Sequence, residues 1–243
     1  MPRKTQLYIF LAIVLSAFAS CKENENEITG TAKVTLTNAA LNSAPVDLYV
    51  DGAKITTSSI EYGNSTGTAG SPYTDMNAGI RPVQLISTAS TDPVVEGNLV
   101  IKAGDHYSMF TYDTLDVYNH LKSLIVSDDL TEPETGNAKV RFFHLSPDAS
   151  YLDAVIYRTG DTTKFLGNAY VGNTAGSTGL SAYTEISAGL FTLLVKQTDS
   201  SYNLITDPIT LTAGKIYTIY ARGKLERGIK TTQGFNISTL QHN

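Results

Sequence analysis

Ala138-Lys139-Val140-Arg141-Phe142-Phe143-His144-Leu145-Ser146-Pro147-Asp148-Ala149-Ser150-Tyr151-Leu152-Asp153 lines up without a gap, at an offset of 106, on the earlier stretch that opens Ala32-Lys33-Val34 and closes at Asp47. Farther along, residues 71–115 return as residues 181–225 at an offset of 110. That pairing sets Tyr73-Thr74 on Tyr183-Thr184, Ala78-Gly79 on Ala188-Gly189, and Ala103-Gly104 on Ala213-Gly214. The difference of four residues between the offsets falls in a Gly-, Ser- and Thr-rich middle, which is loop composition. The repeat predicts two tandem domains, 32–130 and 138–243, joined by a Pro-, Gly- and Glu-containing linker at 131–137. About 105 residues per copy suffice for one hydrophobic core each.

Both copies alternate with period two, the signature of a half-buried strand. Val34 and Leu36 alternate with Lys33, Thr35 and Thr37, and Val46, Leu48 and Val50 with Asp47, Tyr49 and Asp51. Asp51-Gly52 supplies a tight turn, because glycine tolerates positive φ. Further strands are predicted at 82–87, 98–102, 106–113 and 121–127 in the first copy, and at 191–197, 209–212, 216–222 and 232–240 in the second. Ala103-Gly104-Asp105 and Ala213-Gly214-Lys215 each separate two such segments and read as hairpins. In the strand that follows, Tyr107 and Met109, like Tyr217 and Ile219, share one face. Ser108 and Phe110, like Thr218 and Tyr220, share the other. The expected fold is all-β: two tandem immunoglobulin-like antiparallel β-sandwiches after a lipoprotein signal peptide, without the disulfide and core Trp of antibody domains.

At the N-terminus, Arg3 and Lys4 precede an apolar run at 7–18, shorter than the roughly 20 residues a membrane span needs. Residues 1–20 therefore read as a signal peptide. Two cleavages compete. One falls before Cys21, whose thiol would then carry lipid; the other uses Ala17-Phe18-Ala19 and leaves Cys21 near a free end. Cys21 is the sole cysteine of the 243-residue chain, so no disulfide accounts for it. Residues 21–31 are expected to be the lipidated Cys21 and a polar tether, reaching at most about 30 Å at about 3.3 Å per residue. Lys22-Glu23-Asn24-Glu25 resembles a surface-export signal of Bacteroidetes-type lipoproteins; a solvated linker is the other reading.

The chain has 23 acidic and 18 basic residues. Loss of Arg3 and Lys4 with the leader moves the net charge from −5 to −7, which argues against nucleic acid or an anionic membrane surface as partner. No cluster has metal-ligand spacing, and neither Gly/Ser-rich loop, 63–71 or 172–179, contains a phosphate-cradling motif. Asp47 and Asp153 occupy the same position of the second strand in each copy, and exposed strand carboxylates suit them better than a cation site. Asp128-Asp129 reads as a solvated strand end.

Val140-Arg141, His144-Leu145-Ser146-Pro147-Asp148-Ala149 and Asp153 resemble the opening V-R-x-x-H-x-S-P-D-A-P-x-V-D of the extracellular family called domain of unknown function 4397. The first copy keeps a reduced form in Val34, Asn38, Ala44-Pro45-Val46-Asp47 and Tyr49-Val50-Asp51-Gly52. The resemblance implies a β-sandwich on a bacterial surface or in the periplasm, and it brings no reaction and no catalytic residue. His144, Ser146 and Asp148 are triad residue types, yet they crowd one turn, whereas a triad is assembled from separate loops. A structural role follows: Ser146 and Asp148 bond to backbone in the turn that Pro147 starts, and His144 ends the strand. Ligand contact by His144, Ser146, Asp148 and Tyr151 is the alternative. Tyr49, Tyr62, Tyr73, Tyr157, Tyr170, Tyr183 and Tyr202 also lie near loops or strand edges, where a ring can stack on a sugar or anchor an interface.

The sequence thus predicts a non-enzymatic lipoprotein of the bacterial outer membrane, without cofactor or metal. Its lipid anchor would hold it at the membrane, and its partner would be a glycan or an envelope protein. A structural or assembly subunit of a surface filament or envelope complex is the other class considered.

Overall fold

The computed structural model describes residues 30–173, 179–225 and 233–243. The leader, Cys21 and the expected tether as far as residue 29 lie outside them, and Thr31, expected in the tether, already belongs to the first strand. The first copy contributes β1 (Thr31–Asn38), β2 (Val46–Val50), β3 (Ala53–Lys54), β4 (Thr74–Asn77), β5 (Gly79–Ser87), β6 (Pro93–Ile101), β7 (His106–Tyr112) and β8 (Lys122–Asp128). The second contributes β9 (Asn137–His144), β10 (Leu152–Arg158), β11 (Asp161–Asn168), β12 (Thr184–Ser187), β13 (Gly189–Gln197), β14 (Asn203–Leu211), β15 (Ile216–Arg222) and β16 (Asn236–Gln241).

The two halves share one topology. Sheet β4-β1-β7-β8 faces sheet β3-β2-β5-β6, and sheet β12-β9-β15-β16 faces sheet β11-β10-β13-β14. Val34 and Leu36 of β1, Leu48 of β2, Val83 and Leu85 of β5 and Met109 of β7 fill the first sandwich. Val140 and Phe142 of β9, Ile156 of β10, Leu193 and Val195 of β13 and Ile219 of β15 fill the second. The alternation in the sequence sets these side chains inward, since neighbouring residues on a strand point to opposite faces.

Three expectations change. The Ala103-Gly104 and Ala213-Gly214 turns are not hairpins. β6 and β7 lie in different sheets, as do β14 and β15, so each turn carries the chain from one layer to the other. Gly104, at φ +83, donates its N–H to the Thr31 carbonyl, and Gly214, at φ +77, donates to Asn137, fastening the crossing to the start of β1 or β9. The central pairs are also parallel rather than antiparallel: β1 runs alongside β7, and β9 alongside β15. Finally, β6 and β14 begin earlier than expected, at Pro93 and Asn203. Both are edge strands, where Pro93 and Pro208 need supply no ladder N–H. Asp51-Gly52 does form the expected tight turn, with both residues at positive φ (52° and 76°) between β2 and β3.

β7 and β15 are buried on both faces. Their second face meets the other half of the molecule. Phe110, Tyr112, Leu124 and Val126 from the first half pack with Phe143, Leu145, Tyr220 and Leu240 from the second in one apolar cluster. Phe110 meets the edges of Phe143 and Tyr220, with centroids 5.4 and 5.5 Å away. Sheets β4-β1-β7-β8 and β12-β9-β15-β16 are thus inner layers, each covered on one side by its own sandwich and on the other by its counterpart.

Candidate functional site

The turn after β9 carries the residues singled out from the sequence. His144 ends the strand fully buried. Its Nδ1 accepts from the Ser146 N–H at 3.3 Å, which puts the ring proton on Nε2, and Nε2 donates to the Ser150 carbonyl at 2.8 Å. Burial lowers its pKa, so the ring is neutral with both nitrogens occupied. Ser146, also buried, donates its hydroxyl to the Gly223 carbonyl at 2.6 Å. The carboxylate of Asp148 takes the Leu225 N–H at 3.0 and 3.1 Å. His144 thus braces the turn from within, while Ser146 and Asp148 bond not to backbone of the turn itself, as expected, but to the segment that follows β15, and fasten the turn to it.

Asn38, the counterpart of His144 in the first half, makes the same local pattern. Its Oδ1 accepts from the Ala40 N–H, two residues on, at 3.2 Å, and its Nδ2 donates to the Ile60 carbonyl at 3.1 Å. An amide and a neutral imidazole can each accept one bond and donate another, so the strand end keeps this pattern while its residue type changes.

Tyr151 differs from its neighbours in the turn. It is 58% exposed, and Tyr202 is 81% exposed. The Thr198 N–H donates to the Tyr151 carbonyl at 2.8 Å, which holds the β13–β14 loop against the start of β10. Within that loop, Ser200 accepts the Tyr202 N–H at 3.1 Å and Lys196 Nζ reaches the Ser200 carbonyl at 3.2 Å. Two exposed rings thus rise from adjoining, internally braced loops at one end of the β11-β10-β13-β14 sheet. The first copy has Pro45 and Asp92 at the matching positions.

Other tyrosines have different roles. Tyr73 and Tyr183 lie at the junction between the halves, where the largest departure from the sequence reading occurs. Asp128 is not a solvated strand end: its side chain is fully buried and ion-paired with Arg141, itself 2% exposed. Arg141 Nε donates to Thr218 Oγ1 at 2.8 Å, and Tyr73 donates its hydroxyl to Asp128 Oδ2 at 2.8 Å. Because Tyr73 has spent its only proton, its oxygen accepts from His242 Nδ1 at 2.7 Å, which leaves His242 Nε2 to accept from Thr218 Oγ1 at 2.7 Å. The bonds close a ring from Arg141 through Thr218, His242 and Tyr73 to Asp128 and back to Arg141. Ser108 adds a second hydroxyl on Asp128 at 2.8 Å, and Tyr183 covers the guanidinium at 4.5 Å.

Burial lowers the His242 pKa to about 4 and raises that of Tyr73, so both are neutral near pH 7. Arg141 was visible in the sequence motif, but its partners were not. The signal available was the apolar outward face of β7 and β8, which implies a cover.

The strand carboxylates are likewise bound within each half. Asp153 accepts from the Gly167 N–H and Thr198 Oγ1, both at 2.8 Å, and Asp47 from Thr56 Oγ1 and Ser59 Oγ at 3.1 Å, with Lys54 at 3.0 Å. No group of three or more His, Cys, Asp or Glu suited to a metal ion occurs among the described residues. Nor is any helix among them long and apolar enough to cross a membrane.

Residues 32–155, from β1 to the middle of β10, match the sequence model of the family described as domain of unknown function (DUF4397). That is just over half of the chain, and the chain belongs to this family. No curated protein matches it. Among solved structures it is similar to a family 26 carbohydrate-binding module from Eubacterium rectale, in complex with maltoheptaose, at 11% identity and TM-score 0.25, covering 86% of this chain and 96% of that one. A streptococcal virulence factor described for α-glucan binding matches at 11% identity and TM-score 0.24, covering 78% and 92%. A fimbrial assembly protein from Parabacteroides distasonis matches at 10% and 0.21, covering 87% and 95%. Scores this low leave function to be argued from the residues themselves.

Proposed function

We propose that this member of the family is a non-catalytic binding or adhesion module of the bacterial cell envelope, and that it meets its ligand through the tyrosine-bearing end of its second sandwich. The observation that carries this reading is the contrast within one turn. His144, Ser146 and Asp148 are committed to internal hydrogen bonds, while Tyr151 and its neighbour Tyr202 hold their rings in solvent. Exposed tyrosine offers large contact area with little side-chain entropy to lose, which suits the stacking face of a glycan or an anchor in a protein interface. Lipidation of Cys21 and the tether to residue 31 would present this end away from an outer membrane, with the first sandwich as spacer.

The test is a screen of the purified chain from residue 30 against envelope glycans and envelope proteins, with Tyr151→Ala and Tyr202→Ala. Each variant should weaken binding about tenfold, the loss of an interface anchor worth about 1.4 kcal/mol, without moving the unfolding midpoint. Absence of any ligand, or binding by both variants as tight as the parent's, would count against the proposal. The anchor has its own test: Cys21→Ala should release the protein from the membrane fraction, and unchanged association would refute it.

A further inference from the structure

A cleft lies between the halves. The long β3–β4 connection of the first half, residues 58–72, leans over β15 and β16 of the second and leaves a cleft of about 680 Å³. Ser58, Glu61, Asn64 and Thr68 line one wall, and Thr239 and Gln241 line the other. Tyr220 lies beneath, with Ser65 and Ser238 near its hydroxyl. Among the described residues the lining has no lysine or arginine and one carboxylate, Glu61, and the Arg222 guanidinium is held by Ser238 and the Tyr62 ring. Such walls favour neither a phosphate nor a lipid tail.

The loop that forms the wall is held in place. Thr66 donates its N–H to the Leu36 carbonyl at 2.9 Å and its hydroxyl to the Pro72 carbonyl at 2.6 Å, while the Leu36 N–H reaches Thr66 Oγ1 at 3.1 Å. At the far end, Gly70 donates to the Gln241 carbonyl at 3.2 Å, across the junction. The cleft is therefore formed before any ligand arrives, which reduces the ordering a ligand must bring about. By contrast, Ser65 and Ser238 already have protein partners in Thr37 and Arg222. The amide of Asn64 and the hydroxyls of Thr68 and Thr239 are left for something else.

In the other half, the start of the connection after β11 differs: Tyr170 and Val171 turn inward, into the apolar cluster with Phe110 and Tyr112. Tyr112 meets the edge of Tyr170 at 5.9 Å. Where described, the two connections thus differ: Tyr170 and Val171 bring apolar side chains into the junction, whereas Asn64 and Thr68 present polar ones beside it.

We infer that this cleft binds a neutral polyhydroxylated ligand, a segment of an uncharged oligosaccharide, through Asn64, Thr68 and Thr239. Amide and hydroxyl groups can donate and accept, which matches sugar hydroxyls, and Glu61 disfavours acidic chains. The site is independent of the tyrosine-bearing end, so the two readings can fail separately.

The experiment is titration calorimetry of the chain from residue 30 with xylohexaose and cellohexaose as neutral probes and the hexamer of galacturonic acid as the acidic one. A neutral probe should bind at millimolar affinity or better, with the acidic probe at least tenfold weaker. Asn64→Ala with Thr239→Val should reduce that binding at least tenfold, and Thr68→Trp, which fills the cleft from an exposed loop, should abolish it. Tyr151→Ala and Tyr202→Ala should leave it unchanged, and all variants should keep the parent unfolding midpoint. The inference is overturned if neither neutral probe binds, if the acidic hexamer binds as well, or if binding survives Thr68→Trp in a folded protein. Loss of neutral-probe binding through the tyrosine variants alone would also overturn it and assign the sugar to the other end.

Discussion

The two inner sheets have the same strand order, yet where they meet they present different residues. Thr35 in the first stands where Arg141 stands in the second, Ser108 where Thr218 stands, and Asp128 where His242 stands. Tyr73 and Tyr183 match. Facing the cores, the copies keep similar apolar residues; facing each other, they have diverged into a cation, an anion and a neutral imidazole. Two identical faces would have placed like charges together at the junction. The divergence makes the contact complementary, with Arg141 supplied by one half and Asp128 by the other. A buried pair of this kind is weak evidence for net stability but strong evidence for a fixed arrangement, because either charge alone would be left in a dry interior.

Removing one charge should have the largest effect. Arg141→Ala leaves Asp128 buried without its cation, and a loss of about 3–5 kcal/mol is expected in equilibrium denaturation. If the loss were under about 1 kcal/mol, the pair would be open to water and the comparison would fail.

The imidazole gives the next largest effect, and its sign follows from linkage. His242 titrates near its ordinary value of 6.5 when unfolded and near 4 when folded. Below 6.5 the unfolded chain takes up a proton that the folded one refuses. Its contribution is therefore intact above about pH 6.5 and is lost as pH falls towards 4, by at most about 1.4 kcal/mol per pH unit. His144 and His106 also have lowered values through burial and add to the slope. His242→Asn should therefore flatten the profile of stability against pH without abolishing the slope. An unchanged profile would show that His242 is not the buried neutral link described.

Smallest should be the change at the position that matches Arg141. Thr35 shares a hydroxyl contact with Thr66 at 3.0 Å inside its own half. Thr35→Ala should lose about 1 kcal/mol, the worth of one ordinary hydrogen bond. A loss as great as that of Arg141→Ala would mean that the two faces had not specialised.

The repeat made much of this fold legible. Period-two alternation in the sequence separates Tyr107 and Met109 from Ser108 and Phe110, and both sets are buried as the two faces of β7. What covers the second face was not legible, because a strand buried on both sides looks the same whichever partner it has. Asp128 shows the limit most clearly. Next to the half-exposed Asp129, a carboxylate at a strand end reads as solvated, and only Arg141, thirteen residues away on the facing sheet, reverses that. The Ala-Gly turns misled for a local reason. A glycine at positive φ serves a hairpin and a crossing between sheets equally well. In the turn after β9, residue spacing spoke against a triad of His144, Ser146 and Asp148, but the partners of Ser146 and Asp148, Gly223 and Leu225, come from a distant segment, and only the sheet brings the loops of Tyr151 and Tyr202 side by side.

The central claim is that the junction ties the two sandwiches into one cooperative unit. Differential scanning calorimetry of the chain from residue 30 tests it directly. A single transition, with calorimetric and van't Hoff enthalpies equal, is the predicted result. Two resolved transitions, or a van't Hoff enthalpy near half of the calorimetric one, would show that the halves unfold independently and would contradict it.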